Sequence, residues 1–410
     1  MIRGAAIADF APRIMTTMMH ASFEPTEPAR SWLRLDGVDL LRGIAIALVL
    51  MNHVNMRLLI AGIPYAQALP RQLLSGLVWN GQCGVQIFFA VSGFLITATS
   101  LRRWATPCSI RPREFYLLRF ARIAPLLILL LIVLGLLHCT GSKWFFVPEK
   151  AGGLGRALLA ALTFRVNVLE SQRGYLPGNW DVLWSLSVEE TFYLLFPLCL
   201  LWFGRSRWLI LLLVALIVAG PLARTVFAGR NEVWREYSYL GGMDAIALGC
   251  LTALLAPRLR FSRRALITMQ TIGVALMIFI LCFSIAVKRI GLASLGVDMT
   301  ILALGTCMVM AAVAQSPGTG PLVARPLLLL GRRSYEIYLT HMFIVIGGFV
   351  LFTKLGKPPA GVPILFVAVI LVAAALGELV ARFYSEPMNR YLRRRWGEGP
   401  DRLGAVVETV

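Results

Sequence analysis

Charge is what this chain has least of. Only 15% of its 410 residues are Asp, Glu, Lys or Arg, 58% are hydrophobic, and the mean hydropathy is +0.73. The length alone would allow two or three soluble domains, but this composition excludes them. Acidic residues are scarcer still, 21 against 40 basic ones, for a net charge of +19. Such a balance invites a nucleic-acid reading. The basic residues, however, sit in short clusters between apolar runs of about 20 residues, the length that spans a bilayer, so no nucleic-acid partner is expected. Seven cysteines show no pair at metal or redox spacing and lie mostly within the apolar runs, which reads as small buried thiols and suggests no metal site. Before Trp32 no apolar stretch is long enough for a signal peptide, so the first span is expected to act as its own uncleaved signal. No internal repeat is evident.

What is present is a series of spans, near 40–60, 83–101, 123–140, 183–203, 208–227, 240–256, 265–287, 297–314, 335–352 and 362–381. A shorter apolar stretch, 154–169, carries Arg156 and Arg165. With ten spans and a cytoplasmic N-terminus, the clusters Arg102 to Arg122, Arg205 with Arg207, Arg258 to Arg264, Arg325 to Arg333 and Arg393 to Arg395 all fall inside; counting 154–169 as a crossing would put the later ones outside. That stretch is therefore read as an interfacial or re-entrant helix in a long outer loop. The fold class expected is all-α: a polytopic transmembrane bundle of about ten spans, both termini cytoplasmic, in a bacterial inner (cytoplasmic) membrane. A cytoplasmic tail (1–34), a membrane domain (35–390) and a second cytoplasmic tail (391–410) complete the expected organisation.

Ionisable groups inside the bilayer cost a few kcal/mol each, so each is a functional hypothesis by default. In RGIAIALVLMNH, Arg42 and His53 are eleven residues apart, about 1100° of helix, which places them on one face roughly 16 Å apart. In DVLWSLSVEETFYLLFP, Ser185, Glu189 and Tyr193 recur every four residues and share a face. The estimated depth of Glu189 is close to that of His53, which permits a contact. In SYEIYLTH, Ser334 and His341 also share a face, and there a packing histidine is favoured over a catalytic one. His138 and His20 lack polar partners at helical spacing. Asp244, in the Gly-rich GGMDAIALG, suits a close helix crossing. In RRWATPCSIRPREFYLLRFARIAP, Arg119 and Arg122 lie three apart on one helical face, and arginine forks suit phosphate; plain topology explains Arg102 and Arg103 better than these two.

Taken together, RLDGVDLLRGIAIALVLMNH, GVQIFFAVSGFLI, RFARIAP, WSLSVEETFYLLFP, LGRRSYEIYLTH and the SEP at Ser385 to Pro387 resemble the acyltransferase 3 family, bacterial integral-membrane O-acyltransferases that modify cell-surface glycans and related hydroxylated molecules. The resemblance covers about 35–390, with the motifs in the family's order. It implies that Arg42 and His53 are the signature pair, Glu189 the partner carboxylate, and Arg119 and Arg122 the grip on the acyl-donor phosphates. His341, Ser185 and Tyr193 complete the candidate substrate-binding set. Gly242 stands where relatives often carry an arginine two residues before the aspartate, which puts that arginine's acceptor role in doubt here. The chain reads as the stand-alone form, without a fused extracytoplasmic esterase-like domain.

The function expected is transfer of an acyl group, acetyl foremost, from cytoplasmic acyl-CoA to a hydroxyl of a surface glycan, with acyl-CoA as donor substrate and no bound cofactor. His53 as neutral imidazole would act as base or relay the acyl group, with Glu189 orienting it. The competing reading is a transporter or flippase for a glycan or lipid-linked precursor, with His and Glu as a proton relay; the lack of inverted-repeat symmetry and of paired broken helices counts against it.

Overall fold

The computed structural model describes residues 35–65, 70–204, 206–227, 231–316 and 322–396. The expected N-terminal tail, with His20, and the C-terminal tail beyond 396 lie outside the described residues. Among the described residues there are helices and no strands. Among the described residues ten helices are long and apolar enough to cross a membrane. In chain order their helical cores are α1 (Asp36–Ile60), α2 (Gly81–Trp104), α3 (Pro112–Cys139), α4 (Leu183–Phe203), α5 (Arg207–Val226), α6 (Tyr239–Leu255), α7 (Arg263–Cys282), α8 (Asp298–Gln315), α9 (Ser334–Lys354) and α10 (Val362–Val380). A π-helical turn, Ala381–Ser385, joins α10 to a last helix, α11 (Glu386–Arg395).

The surface that these helices present outward is apolar: Trp202 is 74% exposed, Ile364 70% and Leu136 65%. Water does not tolerate so much contiguous apolar surface, whereas lipid tails do, and helices satisfy their backbone polar groups internally. Polar side chains instead turn inward. At the centre α2 crosses α6 closely because both carry glycine at the crossing. A Cβ at Gly93 would stand 2.0 Å from the Ile246 carbonyl oxygen, and one at Gly249 would stand 2.0 Å from that of Ala90. The close approach expected around Asp244 is thus present.

Two elements depart from the expected outline. Helix α3 begins at Pro112, not near 123, with proline at a position where its missing N–H costs nothing; Arg119 and Arg122 therefore lie within a helix whose charged first turns a hydropathy scan passes over. The stretch 154–169 is not one helix but two short ones, Gly153–Leu162 and Val166–Arg173, separated by a break where Phe164 has φ 55°. Neither is long enough to cross a bilayer. All seven cysteines are free. Cys83, Cys250 and Cys307 are buried, while Cys139, at the end of α3, is exposed.

Candidate active site

Helices α1 and α9 lie side by side and meet at two levels. Arg42 Nε donates to Ser334 Oγ at 3.2 Å, and further along both helices the rings of His53 and His341 stand 5.1 Å apart. The shared face predicted for Arg42 and His53 meets the shared face of Ser334 and His341. Tyr338 occupies the interval. Its ring is 5.6 Å from that of His341, its hydroxyl is 2.6 Å from Ser185 Oγ on α4, and it donates to the Val182 carbonyl at 3.1 Å.

On the Arg42 side of Tyr338 lies a cavity of about 490 Å³. Its lining includes Arg42, Arg119 and Arg122 together with Ser185, Glu189 and Tyr193, the three residues predicted to share a face of α4. Glu189 Oε1 accepts from Tyr193 at 2.5 Å and from Ser92 of α2. The two arginines of α3, indistinguishable by spacing, have different surroundings. Arg122 donates to Glu336 at 3.0 Å, and that carboxylate is only 1% exposed. Arg119 instead stacks over the ring of Tyr193 at 3.9 Å, and its buried Nε has no hydrogen-bond partner among the described residues. A buried guanidinium donor without an acceptor is costly, and an anionic ligand oxygen would relieve it.

The histidine pair lies beyond Tyr338 and does not line the cavity. His341 is fully buried, and its Nδ1 is 2.6 Å from the Tyr338 carbonyl. A carbonyl only accepts, so Nδ1 carries the proton and Nε2 keeps its lone pair; Nε2 has no partner among the described residues. His53 is partly exposed. No hydrogen bond joins His53 to Glu189 among the described residues. The permitted contact is replaced by the His53–His341 pair, because Glu189 faces the cavity through Ser92 and Tyr193. Sequence reasoning also passed over Tyr338, three residues before His341 in SYEIYLTH, and Ser92 in GVQIFFAVSGFLI. Both lie in motifs already singled out, but their roles depend on neighbours from other helices.

Past the histidines, the segment before α4 closes the other end. Trp180 is fully buried and donates to the Phe145 carbonyl, and Asn179 donates to that of Leu339. Asp181 is held beside Glu170 and accepts from the Tyr237 hydroxyl at 3.4 Å; burial pushes its carboxyl up to about 6. Burial likewise raises Glu170 well above the usual carboxylate range. His138 has a partner after all, the Val147 N–H at 3.0 Å, found nine residues along in a loop. Position 242 has no room for a side chain, and Asp244 finds its cation on another helix. Arg224 of α5 binds Asp244 at 2.6 Å, while a Cβ at Gly242 would stand 2.5 Å from the Phe89 ring. Among the described residues no cluster of three or more His, Cys, Asp or Glu stands close enough to hold a metal ion.

Residues 35–378 match the model of the acyltransferase 3 family, described as an acyltransferase domain, and the chain belongs to that family. It is similar to O-acetyltransferase OatA of Staphylococcus aureus, 26% identical over 414 residues, covering 95% of this chain and 62% of the relative. It is also similar to peptidoglycan O-acetyltransferase OatA of Listeria monocytogenes, 26% identical over 386 residues, covering 86% of this chain and 55% of the relative. The chain thus spans less than two thirds of the length of either relative. No solved structure matches it.

Proposed function

We propose that this protein is a bacterial membrane O-acyltransferase that takes an acyl group, acetyl foremost, from acyl-CoA on the cytoplasmic side and delivers it to a glycan hydroxyl arriving from the outer side. The observation that carries this reading is the arginine-lined cavity that ends at Tyr338, directly against the histidine pair. Phosphates suit Arg119, whose Nε lacks an acceptor, with Arg42 and Arg122 adding positive potential. The pantetheine arm then points toward Tyr338, whose ring is 5.6 Å from that of His341, and the His53 ring is 5.1 Å from the same histidine. Neutral His53 removes the proton of the acceptor hydroxyl, the hydroxyl oxygen attacks the thioester carbonyl, the C–S bond breaks, and the proton passes from the imidazolium to the departing thiolate as CoA leaves. His341, with its lone pair held at Nε2, is placed to orient His53 or to share its proton. Glu189 keeps the Ser92 and Tyr193 hydroxyls facing the donor.

The two relatives are named for acetyl transfer, one of them to peptidoglycan, which supports a cell-wall glycan as acceptor. Membranes containing the protein, supplied with radiolabelled acetyl-CoA, are expected to transfer label to a cell-wall glycan. Glycan translocation without label transfer would overturn this reading in favour of a transporter or flippase.

A further inference from the structure

The run Arg393, Arg394 and Arg395 reads in sequence as one positive cluster marking the cytoplasmic side. The structure divides it. Arg394 and Arg395 are exposed, while Arg393 is 4% exposed and lines the same cavity as Arg119 and Arg122. Membrane topology accounts for two surface arginines but not for burying the third.

The backbone explains how it is buried. The π turn at Ala381–Ser385 inserts an extra residue and so rotates the downstream helix by about 100° relative to a continuous α-helix. The buried positions of α10, Leu365, Val369, Ala373 and Gly377, recur every four residues and continue through Ala381 and Ser385 of the turn to Asn389 and Arg393 of α11, so the turn keeps the buried stripe on one side. The rotated helix is then fixed against α3 at both ends. Tyr384 donates to the Pro125 carbonyl at 3.1 Å, and the rings of Trp396 and Phe120 stand 6.0 Å apart. Between these anchors α11 passes over α3 next to Arg119 and Arg122. Asn389 Oδ1 accepts from Arg393 Nε at 2.9 Å and holds the side chain in place. Six arginines, Arg42, Arg102, Arg103, Arg119, Arg122 and Arg393, line the cavity among the described residues, with Glu189 and Glu190 in the lining and Glu114, Glu336 and Asp39 behind it against Arg103, Arg122 and Arg42. A partly enclosed space where guanidiniums still outnumber carboxylates attracts a polyanion.

We infer that Arg393, supplied to the cavity lining by α11, is a binding residue for the phosphates of the donor. The inference rests on the acyl-CoA reading above. It assigns α11 to the site, where the sequence suggests only a positive cluster in a tail.

The test compares CoA binding by the purified full-length protein and by Arg393→Gln, with the thermal midpoint as the control for folding and Arg394→Gln as the control for surface charge. Arg393→Gln is expected to bind CoA about ten- to a hundred-fold more weakly, the range for a lost charge-assisted contact, with Arg394→Gln unchanged. S-acetylpantetheine, which carries no phosphate, is expected to be used equally well by wild type and Arg393→Gln. Unchanged CoA affinity in folded Arg393→Gln would overturn the inference alone, as would an equal loss with S-acetylpantetheine. A wild type that binds no CoA would overturn the donor reading and this inference with it. If Arg393→Gln does not accumulate, Arg393→Lys decides: loss of the guanidinium fork is expected to weaken CoA binding several-fold, and unchanged affinity overturns the inference.

Discussion

At Arg224 every N–H of the guanidinium meets an acceptor. Nε donates to the Gly296 carbonyl at 2.8 Å, Nη1 to the Gly241 carbonyl and to Asp244 at 3.3 Å, and Nη2 to Asp244 at 2.6 Å and Thr300 at 2.8 Å. Gln86 adds a bond to Asp244 at 3.0 Å. At Arg119 a buried Nε has no acceptor, and the charge lies over the Tyr193 ring. One site uses its whole donor set to tie α5, α6 and α8 together; the other keeps donor capacity in reserve beside a cavity. The difference teaches that burial of a charge does not by itself mark function, whereas incomplete satisfaction beside an open space does.

Substitutions sharpen that contrast. The largest effect is expected at the histidine pair: His53→Ala should insert normally and lose about 100- to 10,000-fold in transfer, the contribution of a general base. His341→Ala should lose less, because it removes a neighbour of the reacting ring. Near-wild-type turnover by His53→Ala at equal protein level would remove it from the mechanism.

Next comes Arg224→Ala, expected to cost about 3–5 kcal/mol by leaving Asp244 buried without its cation. Thermal unfolding in detergent should show it, and any activity lost should track the folded fraction. A folded variant with selectively impaired acceptor use would break the assignment of this network to structure alone.

Arg119→Ala should weaken CoA binding by about 1.5–3 kcal/mol with little change in thermal midpoint. Arg122→Ala should weaken folding as well, since Glu336 would lose its partner. Equal behaviour of the two variants would erase the distinction drawn between them.

The last effect concerns pH. Asp181 is raised from 3.8 to about 6, so the folded state favours its protonated form. The stability this contributes is present at low pH and is lost as pH rises through about 4 to 6. Asp181→Asn should therefore gain in thermal midpoint relative to wild type as pH rises across that window; parallel profiles for the two proteins would contradict the assignment.

Much of the fold was legible because lipid imposes a simple rule, roughly 20 apolar residues for each crossing. Composition and periodicity were enough to outline ten apolar helices, the non-crossing stretch near 154–169 and the shared faces of Arg42 with His53 and of Ser185, Glu189 and Tyr193. Those are properties of one helix at a time. Tertiary structure alone decided which faces meet: that His53 pairs with His341 and not Glu189, that Arg122 is held by Glu336 while Arg119 is not, that Arg224 from a different helix answers Asp244, and that a π turn brings Arg393 into the cavity. Helix periodicity fixes the direction of a side chain about its own axis. The partner it finds depends on the rotation and depth of neighbouring helices, where a shift of one residue, about 100° and 1.5 Å, exchanges one contact for another.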